Sequence, residues 1–350
     1  MSRNRRSRRR ERKGRVLPVI AAILAVALGA VGVIALRQTD SRRIVYDAQT
    51  LAREADVLSD VVDVMGVKCV PKRNIRSYLV MGIDDTASEG DGYVTAGQCD
   101  VVVLLVVDHT TNTYQYLPIN RSTICDIHWY DMYGEDMGIS TTQLAFAHTV
   151  GNGGALSCEN VVDAVSNLMG GVDIQSYIAV NLTSVATINQ VVDGVTLTIE
   201  DDFSGIDPTL VQGETITLND KQAEHYIRAR HGMKDSTNAA RMRRQLTFID
   251  AVKEKMLVKT REDGEYPMEV YNTLLPEMVT NMNGKAFSRL INGLTQCRQL
   301  PTLEINGLTG VDDFGFEKFD ADQESVRDAT IALFYRVADE ENTGEGLTDE

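Results

Sequence analysis

Ten residues, CDVVVLLVVD from Cys99 to Asp108, limit the fold most tightly. Val101–Val107 is an unbroken apolar run made mostly of β-branched residues. A strand with one wet face alternates apolar and polar residues. A strand without alternation is covered on both faces, which requires a sheet with layers packed above and below it. The flanking segments extend that sheet. SYLVMGIDD (77–85) reads as a second buried strand running into a loop rich in Gly, Ser, Thr and Asp. TYQYLPIN (113–120) follows the turn TTN and returns as a third strand in a hairpin.

Helical and strand patterns then alternate. STTQLAFAHTVGNGG (140–154) and SCENVVDAVSNLMGG (157–171, capped by Ser157) read as helices, and SYIAVNL as a strand. TSVATINQVVDG reads as a helix, VTLTIE as a strand, and LNDKQAEHYIRAR as a helix capped by Asn219 or Asp220. NAARMRRQLTFIDAVKEKM (238–256) carries Met242, Leu246, Ile249 and Val252 at helical spacing. Two further helical patches, a strand at TLEING and a helix at ADQESVRDATIALFYRV complete the series. The order predicts an α/β fold, a three-layer-like sandwich whose central mixed β-sheet is flanked by helices.

Charge is divided unevenly along the chain. The whole carries −15, yet residues 1–15 hold nine basic groups and one acid. Val16–Leu36 is 21 residues without a charge. At about 1.5 Å per residue a helix of that length spans roughly the 30 Å of a bilayer core. The expected order is a basic cytoplasmic tail (1–15), a transmembrane helix (16–36), an extracytoplasmic stalk (37–75), a globular domain (76–337) and an acidic tail (338–350). A cleaved signal peptide is the rival reading, disfavoured because Ala25, Ala27 and Ala30 lie within the apolar run and not after it.

Five cysteines, at 69, 99, 125, 158 and 297, form no CxxC motif, so neither a zinc nor a redox site is indicated. Cys125 and Cys158 are the candidate disulfide pair. The alternative, that all five are small buried hydrophobes, stays open.

The remaining question is why so acidic a chain gathers arginines in HYIRARHGMKDSTNAARMRRQ, residues 225–245. Arg241 and Arg244 share a helix face, whereas Arg228 and Arg230 diverge by about 200°, so the helix should unwind between them. Arg121 follows the third strand, and Asp84 and Asp100 stand at strand ends, where open α/β sheets bind ligands. The guanidinium fork suits phosphate, and carboxylates beside it suit a hard divalent cation. The bland reading is a solvated arginine face paired with acids elsewhere. The domain's negative charge disfavours nucleic acid as the polyanion.

In this order, YLVMGIDD, GQCDVVVLLVVD, LPINRST, VVDGVTLTIEDD and HYIRARHGMKDSTNAARMRRQ resemble the motifs of the LytR-CpsA-Psr family over roughly residues 75–258. The resemblance implies an α/β sandwich with a hydrophobic tunnel. It also implies a membrane-anchored phosphotransferase that moves an anionic glycopolymer, of the teichoic acid or capsular polysaccharide type, from a polyprenyl-pyrophosphate lipid to peptidoglycan. Arg121, Arg228, Arg230, Arg241 and Arg244 would clamp the pyrophosphate, with Gln245 lining the pocket. Asp84 and Asp100 would hold Mg²⁺ (or Mn²⁺), one of them acting as base, and Arg121 would join them in catalysis. Three positions depart from the family pattern: Gln98 stands for an arginine, and Ser122 and Asn238 each stand for an aspartate. These departures leave room for a different outcome, a non-catalytic module that binds the lipid or the wall polymer.

Overall fold

The computed structural model describes residues 60–84, 96–131, 134–230, 232–312 and 315–338. The basic block, the apolar run 16–36, most of the stalk, Asp85 and nearly all of the acidic tail lie outside the described residues. Among the described residues no helix is long and apolar enough to cross a membrane.

In chain order the strands are β1 (Val62–Val64), β2 (Val67–Pro71), β3 (Ile75–Asp84), β4 (Gln98–Asp108), β5 (Thr113–Pro118), β6 (Ile124–Tyr130) and β7 (Asp136–Gln143). Helices α1 (Phe146–Thr149) and α2 (Ala155–Leu168) follow, then β8 (Ser176–Asn181), α3 (Val185–Val191), β9 (Thr196–Thr198) and β10 (Thr215–Thr217). The rest is α4 (Asp220–Arg228), α5 (Asn238–Glu262), α6 (Tyr266–Leu274), β11 (Met278–Thr280), α7 (Gly284–Leu294), β12 (Arg298–Gln299), β13 (Gly307–Val311), β14 (Glu317–Ala321), α8 (Gln323–Phe334) and β15 (Tyr335–Val337).

The central sheet has six strands in the order β11-β8-β3-β4-β5-β12. It is mixed: β3 pairs antiparallel with β4 and parallel with β8. Strand β4 confirms the two-sided burial expected of its sequence. Val101, Val103, Leu105 and Val107 point into one core, built with α4, α5, α6 and α7. Val102, Leu104 and Val106 point into a second core, built with α1, α2 and α8. Burying one such side chain contributes roughly 1.5–3 kcal/mol, so both faces of this strand hold the layers together.

One irregularity in the sheet decides where the site lies. Between β3 and β4 the register shifts: Gly82 faces Val101, but Ile83 faces Cys99, leaving Asp100 as the extra residue of a bulge. Strict alternation would send Asp100 to the second core and Cys99 to the first. The bulge reverses this, so Cys99 joins the second core and Asp100 turns toward α5. Bulges commonly re-aim a side chain in this way beside a functional site. Gly82 permits the close approach: a Cβ there would lie 2.8 Å from Val101 Cγ2 and 3.1 Å from Leu182 Cδ2.

Several expectations need correction. The segment 140–154 is not one helix: its first residues complete β7, and only Phe146–Thr149 form a helix before α2. TLEING is irregular up to Asn306, and the strand begins at Gly307. Helix α2 starts at Ala155, with Ser157 inside its first turn, where its hydroxyl accepts a hydrogen bond from Gly153 N. All five cysteines are free; Cys125 and Cys158 are separate members of the second core, and no disulfide joins them. Residues 62–71, expected in the stalk, form β1 and β2, and β2 pairs with β15 near the other end of the folded unit.

Candidate functional site

Asp100 is the hub of the site. Its side chain is 3% exposed, and each oxygen takes a different guanidinium: Oδ1 meets Arg121, and Oδ2 accepts from Arg241 Nη1 at 3.0 Å. Arg121 stands in the turn after β5, and its other terminal nitrogen donates to Gln98 Oε1. Gln98 thus accepts a hydrogen bond from a neighbouring cation where an arginine at this position would repel it.

Arg241 lies on the first turns of α5. Thr237 caps that helix by accepting from Ala240 N, and the buried side of the first two turns carries Asn238, Arg241, Arg244 and Gln245. Burial pushes the Arg241 guanidinium below its usual range; Arg121 and Arg230 add to that effect, and Asp100 and Asp84 oppose it. Asn238 braces the same guanidinium, accepting from Nη2 at 3.3 Å, and donates from its Nδ2 to Ser122 Oγ at 2.9 Å.

Helix α4 begins with a reciprocal capping box between Asn219 and Gln222 and ends at Arg228. The chain leaves helical geometry at Ala229 (φ −56°, ψ 123°), as the spacing of the two arginines predicts. Arg228 is exposed, with Nη2 3.5 Å from Asp84 Oδ1. Arg230 is half-buried, close enough to act on Arg241, and has no carboxylate partner among the described residues.

Arg244 is placed differently from the other arginines. It is buried, donates to Asp201 Oδ2 at 2.8 Å and to the Ala229 carbonyl, and lies 5.8 Å from the centroid of the Phe203 ring. It therefore fixes the turn between Arg228 and Arg230 and makes no contact with Asp100. Asp201 is a site residue that the sequence alone did not single out, because nothing in EDD (200–202) marks which acid faces α5. Arg243 pairs with Asp201 and Glu200 at the surface.

Two cavities beside this hub share lining residues. A small polar pocket is bounded by Asp100, Asn120, Arg121, Asn238, Arg241 and Gln245. An apolar cavity of about 220 Å³ runs between the sheet and helices α3, α5, α6 and α7, past Val80, Leu105, Ile178, Phe248 and Leu290. Val101, Val103 and Gln245 line both. At that boundary the Gln245 amide nitrogen is buried without a hydrogen-bond partner, and so is Nε of Arg121. Buried polar groups are nearly always satisfied, and both residues line the polar pocket, where a ligand could supply the missing acceptors. Among the described residues no group of three or more His, Cys, Asp or Glu side chains gathers as a metal site would.

An α/β sandwich with an arginine-lined pocket beside an apolar cavity defines a class of protein. The chain belongs to the LytR_cpsA_psr family, whose pattern matches residues 44–333. Among solved structures it is similar to TagV of B. subtilis, with 21% identity and a TM-score of 0.55 over 75% of this chain and 98% of that one. It is also similar to TagT of B. subtilis, with 18% identity and a TM-score of 0.55 over 75% and 90% of the two chains. Protein gbs0355 of Streptococcus agalactiae matches with 19% identity and a TM-score of 0.61 over 74% and 88%. No curated protein matches the sequence. At these identities the likeness establishes the fold.

Proposed function

We propose that this protein transfers an anionic glycopolymer from a polyprenyl-pyrophosphate lipid to peptidoglycan at the outer face of the membrane. One observation carries the reading: a guanidinium-lined pocket and an apolar cavity share a wall at Val101, Val103 and Gln245. An amphiphile with a multiply charged phosphate head and a hydrocarbon tail matches that junction. The structural neighbour TagT is known bound to LI-WTA and to LIIa-WTA, which supports a ligand of this kind.

The prenyl tail would occupy the cavity beneath α5. The pyrophosphate would take the donors of Arg121 and Arg241, with Arg228 and Arg230 closing from the turn that Arg244 holds. Gln245 would donate to the phosphate oxygen nearest the tail. An acceptor sugar hydroxyl then attacks the phosphorus that bears the polymer. A new O–P bond forms, the P–O–P bond breaks, and polyprenyl phosphate leaves with the negative charge that the arginines neutralise. Asp84 is the better placed of the two carboxylates to take the hydroxyl proton, being 31% exposed against 3% for Asp100.

Asp84 and Asp100 are also the residues that would hold Mg²⁺. They stand on neighbouring strands, and because Arg121 and Arg241 occupy both Asp100 oxygens, Asp100 would have to release one of these arginines to hold the ion beside the phosphates. Bound there, the ion would supply charge neutralisation at the phosphate oxygens.

A non-catalytic lipid-binding module is the second reading. It is favoured by the engagement of both Asp100 oxygens with arginines. Binding of geranylgeranyl pyrophosphate to the full chain in detergent, measured by calorimetry for wild type and Arg121→Ala, tests the shared premise. Affinity unaffected by the substitution would remove the site from either reading.

A further inference from the structure

By residue type Arg244 belongs with the pyrophosphate clamp, but its surroundings give it another task. Its side chain is 2% exposed, and both terminal nitrogens are engaged within the protein. Its remaining nitrogen, Nε, is buried with no partner, yet the residue lines neither the polar pocket nor the apolar cavity.

The Ala229 carbonyl that Arg244 holds lies where α4 ends. Ala229 has left helical geometry, so this carbonyl has no place in the helix ladder. A guanidinium there supplies the missing donor and complements the negative end of the helix. The conformation of Ala229 also sets the two arginines beside it. An extended residue sends its neighbours to the side opposite its own side chain. The Ala229 methyl is buried in the first core, so Arg228 and Arg230 are carried to the other side. There Arg228 Nη2 lies 3.5 Å from Asp84 Oδ1, and Arg230 is close enough to act on Arg241. A helix continued through Ala229 would instead separate the two by about 200°.

The loop between β9 and β10 supports this arrangement. Asp201 accepts from Arg244 Nη1 at 2.8 Å on Oδ2 and from Arg243 Nη2 at 3.3 Å on Oδ1, so one carboxylate holds consecutive arginines of α5. Phe203 is fully buried, with its ring 5.8 Å from the Arg244 guanidinium, and stacks on Tyr226 of α4 at 5.6 Å and 17°. Asp207 Oδ2 lies 2.8 Å from His225 Nδ1. A Cβ on Gly205 would lie 3.0 Å from the Gly232 carbonyl oxygen. The loop thus grips the last turns of α4 and the segment beyond the arginines.

We propose that Asp201 and Arg244 are a positioning pair for the transfer. Asp201 orients the Arg244 guanidinium, and Arg244 pins the Ala229 carbonyl so that Arg228 and Arg230 close together on the pyrophosphate. Neither member of the pair touches the substrate. The inference rests on the transfer reading above.

The test is binding of geranylgeranyl pyrophosphate to the full chain in detergent, measured by calorimetry for wild type and Asp201→Asn. The same substitution is then compared in an Arg228→Ala, Arg230→Ala background, which keeps Arg121, Arg241 and the apolar cavity. Asparagine preserves the side-chain volume and removes the charge. Asp201→Asn should weaken binding about tenfold in the wild-type chain, ~1.4 kcal/mol, and less than about twofold in the background. A residue that acts through Arg228 and Arg230 has nothing to position once they are gone. Amide exchange in residues 225–230 should rise in Asp201→Asn. Should that variant not fold, Asp201→Glu, which keeps the charge on a longer stem, carries the same comparison. Unchanged affinity, an equal loss in both backgrounds, or unchanged exchange at 225–230 overturns the inference. A wild type that does not bind the probe defeats the transfer reading itself; a wild type that binds, with Asp201→Asn unchanged, defeats the pair alone.

Discussion

Asn238 and Ser122 hold each other: the amide nitrogen of Asn238 donates to Ser122 Oγ at 2.9 Å, while its oxygen braces Arg241. These are two of the positions at which the sequence is expected to depart from the pattern it resembles, and they touch. An amide and a hydroxyl share a hydrogen bond at a distance where two carboxylates would repel. Asp100 is left as the one carboxylate among the described residues lining the polar pocket. Asn238→Ala strips Ser122, which is 2% exposed, of this partner. The expected cost is about 1–3 kcal/mol of stability, read from chemical denaturation.

Gly82→Ala tests the bulge. Its Cβ would sit 2.8 Å from Val101 Cγ2 and 2.9 Å from Val101 Cβ, so β3 or β4 must shift. A loss of roughly 1–3 kcal/mol is expected. Weaker pyrophosphate binding should accompany it, because the same shift moves Asp100. Calorimetry and thermal melting together check both effects.

Gln245→Leu should move stability and function in opposite directions. The substitution removes a buried amide nitrogen that has no partner, so the protein should gain up to about 1 kcal/mol. Affinity for a prenyl pyrophosphate should fall at the same time. A variant that loses both, or neither, is not explained by a donor waiting at the cavity boundary.

Val252→Trp separates tail from head. Val252 lines the apolar cavity and not the polar pocket. An indole there should abolish binding of geranylgeranyl pyrophosphate and leave binding of inorganic pyrophosphate within about twofold, a margin under ~0.5 kcal/mol.

Thiol chemistry checks the cysteine assignment. Burial pushes the Cys125 and Cys158 thiols up to about 12. The thiolate is the reactive form, so both should resist iodoacetamide in the native protein at pH 8 and react once it is unfolded. Their reactivity should rise only as the pH approaches 12. Identical mobility on reducing and non-reducing gels is also expected, because no disulfide joins them.

Much of the fold was legible where a single periodicity governs a segment. Val101–Val107 announced its two-sided burial, α4 announced its cap, and α4 and α5 both announced their arginines. The β6–β7 hairpin was not legible. ICDIHWY mixes buried and exposed positions, and STTQ has the residues of a helix cap although it ends a strand. The bulge at Asp100 was hidden as well, since a register shift depends on how two strands meet and not on either alone. Residue types brought Arg121, Arg241 and Asp100 into one site. They could not show that Arg244 turns to Asp201, because residues three apart on a helix share a face yet can lean to opposite sides of it.

The central claim is transfer at the arginine pocket. The most direct measurement is release of polyprenyl phosphate when the full chain in detergent is given a polyprenyl-pyrophosphate-linked glycan and an acceptor oligosaccharide, with and without Mg²⁺. Release that needs Mg²⁺ and falls at least about a hundredfold in Arg228→Ala, a barrier rise of ~2.7 kcal/mol, is the predicted result. Tight binding of the donor with no release under any of these conditions would contradict the claim and leave a lipid-binding module.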